Sequence, residues 1–203
     1  MEVVNAPVTR GRPREFDLDQ ALACALRVFW SKGYEGASMA DLTEAMGITK
    51  PSLYAAFGNK EALFARALEL YEREKLAYVA QALDAPTARG VAEKLLRGAL
   101  DMQTGQGCPG GCLTVIGSVA CGDEAESIRE QVVARGAAAK RALLERFEQA
   151  KSDGDLPAHI DPQGLTSHVT ALMQGLSVQA GAGASREELE RLVETSLAMW
   201  PTA

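Results

Sequence analysis

The sequence predicts an all-α fold of about nine helices, in which a small N-terminal three-helix unit precedes a larger helical domain. Two observations support this prediction. Ala, Leu, Glu and Arg are abundant, whereas aromatic residues make up 5% of the chain, and this composition favours helices. No useful stretch alternates apolar and polar residues as a half-buried strand does, and apolar residues recur instead at helical spacing.

Composition places the chain among ordinary globular proteins, with 47% hydrophobic and 24% charged residues. No continuous apolar stretch is long enough to span a membrane, and the N-terminus lacks the apolar core of a signal peptide. The expectation is therefore a cytoplasmic protein whose four cysteines are reduced.

The net charge of −6 is unevenly distributed and divides the chain near residue 60. Residues 1–60 carry seven Lys or Arg and seven Asp or Glu, so the whole negative charge falls on residues 61–203. Binding of DNA depends on a local basic face rather than on total charge, so the net charge does not exclude it. We predict one domain at 1–60 and a second at 61–203.

An arm of 16 residues opens the chain and alternates Arg with Gly and Pro between Arg10 and Arg14. Such a segment suits an extended path along a DNA minor groove or phosphate backbone, which makes Arg12 and Arg14 candidate contacts. The alternative is a solvated tail.

The first helix is predicted to begin at the cap Asp17 and to end at Gly33. A helix-turn-helix follows between Ala37 and Lys60. Its first helix begins at the cap Ser38 and ends at a turn that needs the positive φ of Gly47. The sequence signals of the second helix are Thr49 as its cap, Pro51 in its first turn, Gly58 after its end, and Asn59 as the cap of the fourth helix.

Residues 25–42 (ALRVFWSKGYEGASMADL) and 46–63 (MGITKPSLYAAFGNKEAL) resemble the TetR family of bacterial transcriptional regulators over about the first 65 residues. The resemblance implies an all-α homodimeric repressor with a C-terminal domain for ligand binding and dimerisation. It further implies a palindromic DNA operator and release by a small-molecule effector. The second helix of such a motif usually enters the major groove.

Candidate DNA contacts follow from position within this motif. Lys50 and Ser52 lie on the first turn of the second helix, within reach of base edges or phosphates. The resemblance implies that Tyr54 contacts the DNA backbone. Lys60 opens the fourth helix, where free N–H groups favour a phosphate, and the caps Ser38 and Thr49 have the same opportunity.

Beyond residue 60 the helical pattern continues to the end of the chain. A Gly-rich loop at 105–112 interrupts it. The predicted helices are a long fourth from Asn59 to Leu83, a fifth from Pro86, a sixth from Leu113 to Ala120, a seventh from Asp123 to Lys151, an eighth from Asp161 and a ninth from Ser185. The last two are candidates for a four-helix dimer interface.

An effector pocket is predicted within the second domain from helix position alone. An apolar wall with few polar anchors favours an apolar or aromatic effector. His168 is as consistent with a core histidine as with an anchor. The candidate lining residues are Leu100, Cys112, Ile116, Phe147, His168 and Met173.

Cys108 and Cys112 flank the Gly-rich loop and leave three roles open. They either line the pocket, sense oxidation or bind a metal. Two thiols do not fill a tetrahedral zinc site, and only His159 and His168 are available as further histidines, so we predict no metal and no cofactor. A repressor that senses oxidation at Cys108 or Cys112 remains the alternative function.

An enzyme has little support in this sequence, and we predict no catalytic residues. There is no Ser-His-Asp spacing, no phosphate loop and no paired metal motif. The glycines at 105–111 do not follow a strand, so a nucleotide-binding loop is excluded by context. The predicted function is a DNA-binding transcriptional regulator.

Overall fold

The computed structural model describes residues 17–105, 107–119 and 125–201, and the regular structure in these ranges is entirely helical, which confirms the all-α prediction. The described helices are α1 Leu18–Gly36, α2 Met39–Met46, α3 Lys50–Phe57, α4 Lys60–Lys75, α5 Ala77–Leu83, α6 Ala88–Thr104, α7 Leu113–Val119, α8 Glu126–Ser152, α9 Pro162–Gly181 and α10 Arg186–Ala198. We refer to residues 17–60 as the head and to residues 61–201 as the body. No helix in the described ranges is both long and apolar enough to cross a membrane.

The head packs α2 and α3 against α1, and the first turns of α4, where the body begins, complete its core. Phe29 of α1 and Phe64 of α4 meet edge to face, with ring centroids 5.1 Å apart. Leu42 of α2 and Leu53 of α3 are fully buried in the same cluster. Burying such side chains supplies most of the stability of short helices, which are marginal on their own.

The prediction of one long fourth helix to Leu83 is wrong, because the chain breaks at Leu76 into α4 and α5. Leu76 has φ −105° and ψ 8°. Its carbonyl accepts a hydrogen bond from the N–H of Val79, only three residues further on, at 2.9 Å. The break brings the Tyr78 ring directly against Gly98 of α6, where no Cβ would fit. No glycine or proline marks the break, and it raises the described helices to ten.

The body contains two further apolar clusters. One joins α5, α6, α8 and α9 around Phe147, and the other joins α6, α9 and α10 around Leu100. Arg146 of α8 ties the α5–α6 connection by donating to the carbonyls of Leu83 and Ala85 at 3.2 and 2.7 Å. These bonds link α8 to the α5–α6 connection.

Head and body share their apolar packing. The cluster that fills the head also contains Leu113 of α7 and Ile128 of α8. A buried hydrogen bond of 2.8 Å runs from the Trp30 indole N–H of α1 to the Gly111 carbonyl in the Gly-rich loop. The Gly-rich loop of the body therefore contacts a head helix directly.

Candidate nucleic-acid interface

The first helix of the motif is fixed by a reciprocal cap. The Asp41 backbone N–H donates to the Ser38 Oγ at 3.0 Å, and the Ser38 backbone N–H donates to the Asp41 Oδ2 at 2.9 Å. This capping box satisfies two N–H groups that the helix itself leaves without partners. The predicted role of Ser38 as a cap is confirmed.

Lys32 of α1 braces this cap from outside the motif. Its Nζ lies 2.6 Å from the Asp41 Oδ1. Hydrogen bonds from Lys32 first, and from Ser38 second, hold the pKa of Asp41 well below its ordinary value. Sequence reasoning missed Lys32 because nine residues separate it from its partner, a spacing that no local pattern marks.

The turn between the two helices has the predicted geometry. Gly47 adopts φ 65° and ψ 27°, and its N–H donates to the Glu44 carbonyl at 3.1 Å. Thr49 then caps α3, since its Oγ1 accepts from the Ser52 N–H at 3.3 Å and lies 2.9 Å from the Ser52 Oγ. The turn and both caps fix the orientation of α3 relative to the rest of the head.

Helix α3 has a buried and an exposed side. Leu53 and Phe57 are buried in the head core, as predicted. Lys50 is exposed and Tyr54 keeps 47% of its surface accessible, with the Lys50 Nζ 5.9 Å from the Tyr54 ring centroid. An ammonium and a phenol on one exposed face supply donors for phosphates and base edges.

The start of α4 adds a third capped N-terminus. The Asn59 Oδ1 accepts from the Ala62 N–H at 2.8 Å, which confirms the predicted cap. The Lys60 ammonium lies 4.5 Å from the centroid of the Tyr34 ring, a cation–π contact that orients it. A helix N-terminus with a held cation is a favourable position for a phosphate.

The structure thus describes six of the eight residues that are predicted to contact DNA. Thr49, Lys50, Ser52 and Tyr54 belong to α3 and its cap, while Ser38 and Lys60 stand at the starts of α2 and α4. Arg12 and Arg14 lie outside the described residues. The three capped helix starts and the exposed side of α3 define the candidate interface.

The six candidate pocket residues lie in different parts of the fold. Leu100 is buried among α6, α9 and α10, and Phe147 is buried among α5, α6, α8 and α9, while the half-buried Met173 packs against both clusters. Cys112 and Ile116 do share a cavity, beside Trp30. His168 is exposed on α9 of the single chain, because the helical step from the buried Val169 turns it outward.

Cys112 lies in a buried polar contact between loop and α4. The Tyr71 hydroxyl donates to the Cys112 Sγ at 3.2 Å, and the Thr114 Oγ1 lies 3.0 Å from the same sulfur. Burial, and next the neighbouring Cys112, raise the pKa of Tyr71 far above its ordinary value, so this phenol stays protonated. Within the described ranges, no three His, Cys, Asp or Glu side chains cluster in a way that would hold a metal.

Two protein-family models match the chain. Bacterial regulatory proteins of the tetR family match residues 21–67, and the tetracyclin repressor-like C-terminal domain matches residues 92–196. The first match spans α2 and α3 with their caps, and the second spans most of the body.

Two relatives from Escherichia coli K12 are similar over most of their length. The HTH-type transcriptional repressor ComR is 33% identical over 195 residues, which is 95% of this chain and 93% of ComR. The HTH-type transcriptional repressor BdcR is 32% identical over 181 residues, which is 88% of this chain and 86% of BdcR.

A solved structure of a regulator bound to DNA is also similar. A cysteine-substituted form of the TetR family transcriptional regulator CifR, complexed with a 26-base-pair double-stranded operator, is 44% identical with a TM-score of 0.87. The match covers 94% of this chain and 100% of that one. A TetR regulator from Rhodococcus sp. RHA1 is 40% identical with a TM-score of 0.63, covering 92% of this chain and 100% of that one.

Proposed function

The chain belongs to the TetR family of bacterial regulatory proteins and is a DNA-binding transcriptional regulator; we propose that it is a repressor that binds a palindromic operator as a homodimer and leaves it when a small molecule binds the body. The observation that carries this proposal is the exposed side of α3, held by the Gly47 turn and the Thr49 cap. We assign the protein no catalytic role.

The DNA contacts are proposed from the geometry of the head. Lys50, Ser52 and Tyr54 present an ammonium and two hydroxyls on or beside the exposed side of α3, which we place in the major groove. Ser38, Thr49 and Lys60 stand at helix starts, where backbone N–H groups favour phosphates. CifR, which is 44% identical, is complexed with operator DNA in its structure, and this supports the assignment.

A homodimer is proposed because a palindromic operator has two half-sites and needs two heads. Helix α9 and the residue that follows α10 carry exposed apolar side chains, Val178 at 60% and Met199 at 78% accessible, which a second copy would cover. Val178→Asp should shift the protein from dimer to monomer in light scattering after gel filtration. The matched control is Val133→Asp on α8, where 51% of the side chain is accessible. A dimer that survives Val178→Asp would move the interface off this part of α9.

A small-molecule signal is favoured over oxidation of Cys108 or Cys112. Cys112 is 7% exposed and its sulfur is engaged by two hydroxyl groups. Both cysteines are free thiols, so no disulfide between them holds the loop in this state. An oxidant that released DNA from the wild type, but not from Cys112→Ser, would restore the oxidation hypothesis.

The experiment that tests the function is selection of duplex DNA from a random library by the purified protein. The expected result is enrichment of sequences with two inverted half-sites about one helical turn apart or a multiple of it, because two heads of a symmetric dimer face the same groove side. Recovery of sequences without inverted symmetry would contradict the dimeric arrangement. Recovery of no enriched sequence at low salt would contradict the function.

A further inference from the structure

Helix α3 is too short to be stable by itself. It has eight residues, and isolated helices of about two turns are unfavourable in water. The Thr49 cap holds its first turn. The last four carbonyls have no partner within the helix, and the Tyr54 carbonyl accepts instead from the N–H of Gly58 at 3.0 Å. The end of α3 therefore depends on contacts from outside the helix.

Arg66 of α4 supplies two such contacts at the end of α3. Its Nη1 donates to the Ala56 carbonyl at 3.2 Å. Its guanidinium carbon lies 4.9 Å from the centroid of the Phe57 ring, which is buried in the head core. One planar cation thus satisfies a carbonyl of the last turn and contacts the aromatic side chain beside it. A positive charge at a helix C-terminus also interacts favourably with the helix dipole.

The contact of Arg66 with α3 crosses the boundary between head and body. Arg66 lies in the second turn of α4, on the body side of residue 60. Helix α4 is bonded in turn to α8, because the Ser127 Oγ donates to the Glu61 Oε1 at 2.8 Å and Arg135 donates to Glu72. The end of α3 is therefore tied to a helix that is itself bonded to the rest of the body.

Two roles are open to an exposed arginine beside a DNA-reading helix. Arg66 either contacts a DNA phosphate itself or holds α3 in place for other residues. Base edges are contacted by the N-terminal residues of such a helix, which here are Lys50 and Ser52. The guanidinium lies at the opposite end of α3, on the Ala56 carbonyl and close to the Phe57 ring. The geometry therefore favours the second role.

We propose that Arg66 is a positioning residue for operator reading, which holds the end of α3 against α4 so that Lys50 and Tyr54 reach the operator together. This inference rests on the proposed function. A helix end that is ordered before binding does not have to be ordered on the DNA, so the operator binds more tightly. Binding to unrelated DNA gains little from this hold, because it depends on phosphate charges rather than on alignment with bases.

The test compares the full-length wild type with Arg66→Met, which removes the donor and the charge but keeps an unbranched side chain against Phe57. Fluorescence anisotropy at several salt concentrations measures affinity for the selected operator and for a duplex of scrambled sequence. Arg66→Met should bind the operator roughly three- to tenfold more weakly, the effect of one hydrogen bond. Its affinity for the scrambled duplex and the salt dependence of operator binding should stay those of the wild type.

Arg73→Met is the matched control. It removes the same charge from the same side of α4 about two turns further on, where Arg73 pairs with Glu74 of its own helix at 3.8 Å. This control should bind both duplexes as the wild type does. Every variant is measured well below its unfolding temperature, so that lost affinity is not unfolded protein.

A double-mutant cycle separates positioning from an independent contact. Arg66 and Tyr54 act through one helix, so Arg66→Met should cost less operator affinity in a Tyr54→Ala background than in the wild type. Amide hydrogen exchange gives a second measurement in the absence of DNA. The Gly58 N–H, which bonds the last turn of α3, should exchange faster in Arg66→Met than in Arg73→Met, because that turn frays without its outside contact.

The outcomes separate this inference from the function on which it rests. Failure of the wild type to bind any DNA sequence would overturn the proposed function. Wild-type operator affinity in Arg66→Met would overturn the positioning role alone. Equal weakening on both duplexes, with a salt slope smaller by about one, would also overturn it, because that is the signature of a direct phosphate contact. Losses that add in the double variant, or an unchanged exchange rate at Gly58, would overturn it as well.

Discussion

The head and the body differ in the sequence range of their side-chain hydrogen bonds. Helices of both regions begin with caps between residues three apart, as at Ser38 and Asp41 in the head or Ser185 and Glu188 in the body. Within the described part of the head, the longest internal side-chain bond joins Lys32 and Asp41, nine residues apart. The body adds bonds between distant elements: Gln103 bonds Ser177, 74 residues away, and Arg186 bonds Asp101, 85 residues away. The arrangement of the body helices therefore depends more on long-range contacts than that of the head helices.

Trp30 of the head contacts the body directly, and replacing it should have the largest effect on stability. It is 3% exposed, bonds Gly111 and meets the Tyr71 ring edge to face at 5.0 Å. Trp30→Ala should lower the free energy of unfolding by about 3–5 kcal/mol, measured by urea titration, because it opens a cavity at the joint.

Trp30→Phe serves as the partner variant, since it keeps most of the packing and loses the bond to Gly111. Its cost should be about 1–3 kcal/mol, the penalty for a buried carbonyl left without its donor. Equal stability of the two variants would contradict the cavity argument, because both lose the hydrogen bond and only the ring volume distinguishes them.

Two glycines with open space around them, one in the turn of the head and one in a helix of the body, compare how the two regions respond to an added Cβ. Gly47 in the head has φ 65°, and Gly136 lies within α8; a Cβ would meet nothing within 4 Å at either. Gly47→Ala should destabilise by about 1 kcal/mol, because alanine disfavours a left-handed conformation.

Gly136→Ala should instead stabilise by about 0.5–1 kcal/mol, because alanine is the better helix former. Thermal unfolding of the two variants gives the comparison. Changes of the same sign would show that the Gly47 turn does not depend on positive φ.

The pH dependence of the Asp41 cap should be the smallest effect. The pKa of Asp41 is lowered in the folded state, so the cap contributes fully above the unfolded value of about 3.9 and its contribution falls away as the pH drops below that. The free energy of unfolding should therefore fall less steeply with acid in Asp41→Asn than in the wild type. Glu44→Gln, an exposed carboxyl on the same helix, is the control and should keep the wild-type slope.

The sequence separation of the contacting residues also explains which features could be predicted from the sequence and which could not. Ser38, Gly47 and Thr49 were predictable because a cap or turn depends on residues within one helical turn. The contact between Trp30 and Gly111 was not predictable, because the two residues are 81 positions apart and no spacing connects them. The break at Leu76 carries no glycine or proline, and the exposure of His168 depends on which side of α9 the neighbouring helices cover.

The exposed side of α3 is the basis of the central claim, and operator affinity tests it most directly. Affinity for the selected operator is measured by fluorescence anisotropy at one fixed salt concentration for the wild type, Lys50→Ala and Tyr54→Ala. Each variant should lose roughly 1–3 kcal/mol of binding free energy while its unfolding curve stays that of the wild type. Wild-type affinity in both variants would contradict the assignment of α3 as the DNA-reading helix.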